Sequence, residues 1–135
     1  MTSRSRGSGK IEMAIENCRS EGKWKKVIEL AEELKLGSPH YESLSNFLIG
    51  EGKLESFLDE NPPIEANYAK AKTGLSEAKN FLQMVTGEDG QRAGIALDAH
   101  LLLAKLAYAC GQYNEVLEHF VKAELNSLSE KELTP

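Results

Sequence analysis

"YACGQYNEVLEHFVKAEL", residues 108–125, carries an apolar stripe broken once by Gly111, with the aromatic Tyr113 two positions later. "ENCRSEGKWKKVIELAEEL", residues 16–34, has the same layout. Aligning Gly22 with Gly111 sets Trp24 on Tyr113, Val27 on Val116 and Glu29 on Glu118. A glycine in that place supplies the left-handed residue that commonly ends a helix. Apolar residues at i, i+3, i+4 and i+7 around it read as amphipathic helices. The chain therefore writes helix, turn, helix at least twice.

Outward from these stretches the same period recurs. Ile11, Ala14, Ile15 and Cys18 predict a first helix, and Val27, Ile28, Ala31 and Leu34 a second. Ser38-Pro39 then sets an N-cap before a proline at the first helical position. Leu44, Phe47, Leu48, Leu54, Phe57 and Leu58 fit a third segment, read as one kinked helix or two short ones because Gly50 and Gly52 interrupt it. Pro62-Pro63 ends it, and "IEANYAKAKTG" reads as a long loop. Leu75, Ala78, Phe81, Leu82 and Val85 give a fourth helix, broken by "TGEDGQ". Residues 93–110 form a fifth that is apolar nearly all round, as a sandwiched helix is. Tyr113, Val116, Leu117, Phe120 and Ala123 give the sixth. No alternating β-branched run appears. The expected fold is all-α: about six helices in antiparallel hairpins stacked as an α-solenoid.

Domain organisation follows from composition. Residues 1–9, rich in Ser, Gly and Arg, read as a disordered tail, and residues 10–125 as one helical-repeat domain. Ser129 and Glu132 have capping-box spacing, so residues 126–135 read as the truncated start of the next helix of a longer protein. The chain of 135 residues is 41% hydrophobic and 27% charged, which fits a globular domain. Its net charge of −5 argues against nucleic acid. Two distant cysteines, Cys18 and Cys110, suit a reducing cytosol better than a disulfide scaffold. No stretch is long and apolar enough to predict a membrane span or a signal peptide.

Residues 97–130 match the 34-residue tetratricopeptide pattern at several positions. Leu103 and Ala104 take the first-helix places, Gly111 and Tyr113 the turn, Phe120 and Ala123 the second helix. Small residues such as Ala104 and Ala123 let two helices approach closely. Val116 and Ala107 depart from the pattern, and no proline follows. The first copy has Ile15 and Ala31 in the places of Ala104 and Phe120, a degeneracy that suits a terminal repeat.

Four blocks in order, "NCRSEGKWKKVIEL", "FLIGEGKLESFLDENP", "LSEAKNFL" and "LLLAKLAYACGQYNEVL", resemble the amino-terminal region of the tetratricopeptide repeat protein 7 family. The resemblance implies a non-catalytic, cytoplasmic scaffold. It assembles phosphatidylinositol 4-kinase III alpha with hyccin, and a palmitoylated anchor of the rolling-blackout family recruits the complex to the plasma membrane. It further implies that the kinase and hyccin bind more carboxy-terminal parts. The present stretch would then receive the anchor's tail or brace the scaffold.

The residues offer little to competing chemistries. Cys110 with His100 or His119 could be named nucleophile and base, but a buried free cysteine ordinarily acts as a small hydrophobe. Three scattered histidines and two distant cysteines contain no short-spaced metal-ligand pair, so neither metal nor cofactor is expected. "GEGK" at 50–53 lacks phosphate-loop spacing. "KWKK" at 23–26 admits an alternative, a calmodulin-target-like helix or generic adaptor, although Glu29, Glu32 and Glu33 share that helix. Arg4, Arg6 and Lys10 are too few for acidic lipid. In a stacked-hairpin register the partner-facing residues are Glu12, Glu16 and Arg19 in the first hairpin and Asp98, Leu101, Lys105 and Tyr108 in the last. Leu101 and Tyr108 are the expected anchors. The alternative is that both pack on the middle hairpin.

Overall fold

A computed structural model describes the backbone of residues 2–132 and the side chains of residues 9–125. Eight helices follow one another: α1 (Thr2–Glu21), α2 (Trp24–Gly37), α3 (Glu42–Glu60), α4 (Tyr68–Gly74), α5 (Ser76–Met84), α6 (Glu88–Arg92), α7 (Ala96–Ala109) and α8 (Tyr113–Glu132). Single 3-10 turns lie at Pro39–Tyr41 and Glu65–Asn67, and no strand occurs among the described residues. The all-α expectation holds. The six expected helices are α1, α2, α3, α5, α7 and α8. The short α4 and α6 fill the stretches read as a loop and a break, being too short to display a helical period.

The ends differ from their sequence reading. α1 begins at Thr2, so helix runs through the stretch read as a disordered tail. Residues 2–9 contain no proline, and extending an existing helix needs only one added hydrogen bond per residue fixed. α8 continues unbroken to Glu132, so Ser129 and Glu132 lie inside a helix instead of opening one. No Gly or Pro between Ala123 and Glu132 interrupts it. Residues 133–135, the rest of that expected start, lie outside the described residues.

The repeated sequence is a repeated hydrogen-bond pattern. Gly22 and Gly111 both adopt φ of 74°. Gly22 N–H donates to Arg19 C=O and Lys23 N–H to Cys18 C=O; Gly111 N–H donates to Tyr108 C=O and Gln112 N–H to Ala107 C=O. These are the two bonds of a Schellman cap, made with the same offsets each time. Each turn then restarts a helix at an aromatic residue, Trp24 or Tyr113. The buried faces follow the predicted period: Ile15 on α1, Val27, Ala31 and Leu34 on α2, Leu82 on α5, Leu103 and Ala104 on α7. With Val27, Ala31 and Leu34 in the core, residues 23–36 have no apolar face left for calmodulin.

α3 is one helix and the centre of the packing. It lies against α2 on one side and α5 on the other, and also touches α7. Its glycines are contact points. A Cβ at Gly50 would lie 2.8 Å from Leu82 Cγ of α5, and one at Gly52 would lie 2.6 Å from Ile28 Cγ1 and 3.2 Å from the Trp24 carbonyl oxygen of α2. The close approach explains why two residues that cost about 1 kcal/mol each in helix propensity sit mid-helix. Gly52→Ala is therefore expected to destabilise by about 1–2 kcal/mol, overpacking outweighing the propensity gain. Urea unfolding followed by circular dichroism checks this. A gain of about 1 kcal/mol would mean that α2 and α3 are not in close contact there.

Candidate docking strip

The seven expected partner-facing residues fall in two rows. Glu12, Glu16 and Arg19 stand at i, i+4 and i+7 on α1, and Asp98, Leu101, Lys105 and Tyr108 follow one face of α7. Glu16 is exposed, while Glu12 and Arg19 are half-buried. The whole α7 row is exposed, with Leu101 at 41% and Tyr108 at 48%, so neither anchor is lost to the middle hairpin. The rows are joined through α3 by two acids that the sequence reading did not select, Glu51 and Glu55. Their one-turn spacing on α3 was the available signal.

Arg19 grips Glu51 with two parallel bonds, Nε–H to Oε1 at 2.7 Å and Nη2–H to Oε2 at 2.9 Å. Its Nη1 donates to Glu16 Oε2 at 2.8 Å. The Glu51 bond is the main reason that the Arg19 pKa is raised, against a lowering from burial. On the other side Lys105 Nζ donates to Glu55 Oε2 at 2.6 Å. Three of the expected residues are thus already engaged, as clamps tying α1 and α7 to α3. Glu12, Asp98, Leu101 and Tyr108 stand beside them.

Tyr108 ends the α7 row at an aromatic corner. Its ring meets Tyr113 edge to face at 5.8 Å, and Tyr113 meets Tyr68 of α4 at 6.5 Å. The Tyr68 and Tyr113 hydroxyls share a hydrogen bond. That bond, with partial burial and the neighbouring tyrosines and Glu65, pushes the Tyr68 phenol up to about 12. Tyr68 sits over the bare Cα of Gly111, where a Cβ would come within 2.5 Å of the ring. A second open apolar row, Tyr113, Leu117, Phe120, Val121 and Leu125, runs along α8.

A cleft of about 630 Å³ opens between the α1–α2 turn and the end of α3, lined by Cys18, Trp24, Ser56 and lysines 23, 25 and 26. The nucleophile reading finds no geometry to support it. Cys110 is buried, burial raises its thiol pKa, and the side-chain contact recorded for His100 is with His119. Among the described residues no three His, Cys, Asp or Glu side chains cluster to hold a metal. No described helix is long and apolar enough to cross a membrane.

A paired-helix stack with two identical glycine turns defines an architecture, and comparison with known proteins narrows it. The family model described as tetratricopeptide repeat protein 7 N-terminal matches residues 1–135. The chain belongs to the tetratricopeptide repeat protein 7 family. Human tetratricopeptide repeat protein 7B is 30% identical over 129 residues, covering 95% of this chain and 15% of that protein. The mouse 7B protein gives the same identity and coverage. Human tetratricopeptide repeat protein 7A is 27% identical over 146 residues, covering 89% of this chain and 17% of that protein. The chain thus spans about a sixth of the length of these relatives. No solved structure matches it.

For this tetratricopeptide repeat protein 7 domain, the two clamps should differ in strength. Arg19→Met strands a carboxylate whose side chain is 10% exposed and should cost about 3 kcal/mol. Lys105→Met removes a side chain already 49% exposed and should cost under about 1 kcal/mol. Urea melts of the two variants test this ordering. Equal, small effects would show that Glu51 finds water when Arg19 is gone.

Proposed function

We propose that this domain is the amino-terminal docking part of a non-catalytic scaffold that recruits phosphatidylinositol 4-kinase III alpha to the plasma membrane. Its partner at this end is the cytosolic carboxy-terminal tail of a rolling-blackout-family membrane anchor. Hyccin and the kinase engage other parts of the full-length scaffold. The observation that carries the docking role is the exposed α7 row, in which Leu101 and Tyr108 stand two turns apart beside Asp98 and the Lys105–Glu55 pair. Such spacing of an aliphatic and an aromatic anchor suits a helix or an extended peptide laid along α7. Family membership supports a scaffold. The kinase complex, the anchor and a cytoplasmic protein drawn peripherally to the membrane rest on the resemblance in the four sequence blocks.

Isothermal titration of the domain with the anchor tail tests the reading. Binding at micromolar or tighter Kd is expected, weakened tenfold or more by Tyr108→Ala in a variant that keeps its helicity and melting temperature. Full-strength binding by Tyr108→Ala would move the site off α7. No binding by the folded domain would leave it as a brace for the rest of the scaffold.

A further inference from the structure

His100 and His119 are 19 residues apart in sequence and were counted among the scattered histidines. The α7–α8 hairpin brings them together. Their Nδ1 atoms are 3.3 Å apart and their rings, 5.5 Å between centroids, are tilted by only 34°. That separation has a chemical meaning. Two metal–imidazole bonds of about 2.05 Å meeting at the tetrahedral angle span about 3.3 Å between nitrogens. Both rings sit on helices packed against each other, and His100 itself is buried, so little reorganisation is needed to present them.

We propose that His100 and His119 form a two-imidazole site for a divalent first-row transition ion, with Zn²⁺ as the ion of choice, water completing the coordination. Without the ion, one Nδ1–H donates to the other Nδ1. On binding, the donor ring loses its Nδ1 proton and takes one up at Nε2, a tautomer change with no net proton release, and both Nδ1 lone pairs turn to the metal. The rings are suited to this because burial, and next the neighbouring charge, pushes both below the ordinary imidazole range. They are therefore neutral ligands near pH 7. No third His, Cys, Asp or Glu side chain joins the two rings among the described residues, so the protein supplies two ligands and water the rest. Lys122 acts against a cation here, since its charge reaches both rings. That repulsion and the two-residue ligand set place the affinity in the micromolar range, far below that of a four-ligand structural zinc site.

Zinc titration of the tag-free chain provides the test. One saturable site is expected by calorimetry, and at a hundredfold excess over Kd the melting temperature should rise by about 5–10 °C. His119→Gln should weaken binding at least tenfold, while His40→Gln on the exposed Pro39–Tyr41 turn leaves it unchanged. Should His119→Gln fold poorly, histidine ¹⁵N NMR of the wild-type chain decides. Zn²⁺ should shift the Nδ1 signals of His100 and His119 together and leave His40 in place. Absence of saturable binding, equal binding by a folded His119→Gln variant, or shifts confined to His40 would each overturn the site.

Discussion

Where α3 crosses its neighbours, backbone meets side chain with nothing between. Gly50 touches α5 and Gly52 touches α2. Residues two apart on a helix point about 200° apart, so these contacts lie on nearly opposite sides of α3. Together they fix its rotation as well as its distance from each neighbour. Glu51 lies between them, about 100° from each. It must therefore point out of the layer that α2, α3 and α5 share, toward α1 and α7. Glu55 follows one turn later on the same side. The charge clamps to Arg19 and Lys105 are a consequence of where two side chains are missing.

The same constraint explains how charged residues can sit in the middle of a packed stack. A carboxylate as buried as that of Glu51 is tolerable only with its oxygens bonded, and the Arg19 fork supplies two donors in one plane. Lysine at position 19 would offer a single point charge and leave one oxygen short. On the α7 side the Lys105–Glu55 pair is wetter, and its contribution is orientation more than stability. The α1–α3 clamp is therefore the more buried of the two and the α3–α7 clamp the more hydrated.

How far the sequence reveals this differs from element to element. Gly22 and Gly111 were legible because a left-handed helix end has a local chemical signature, and the hydrogen bonds there repeat as faithfully as the residues do. The long helices were legible from their apolar period. α3 was ambiguous because a mid-helix glycine looks the same whether it breaks the helix or admits a neighbour. The difference lies in Leu82 and Ile28, which are distant in sequence. α4 escaped notice at seven residues, held by its tertiary setting, with Ala71 in the core and Tyr68 over Gly111. Arg19 and Lys105 were selected as partner-facing, yet their acids on α3 went unseen. No periodicity reports which helix will lie opposite. The juxtaposition of His100 and His119 was hidden for the same reason.

The docking surface proposed for the α7 row would have particular electrostatics. Arg19 and Lys105 are already neutralised by Glu51 and Glu55, whereas Glu12 and Asp98 are in no ion pair among the described residues. The strip consequently presents apolar anchors within a mildly acidic field, in keeping with the net charge of −5. A partner segment gains little by competing for charges that are already clamped. Its affinity should come from burying Leu101 and Tyr108, its orientation from basic residues placed near Asp98 and Glu12. Salt would then slow the encounter while leaving dissociation from the apolar anchors nearly unchanged, because screening acts on the long-range approach and not on buried contact. An acidic partner would face the opposite balance, meeting repulsion at both ends of the strip with no free cation in the strip itself to offset it.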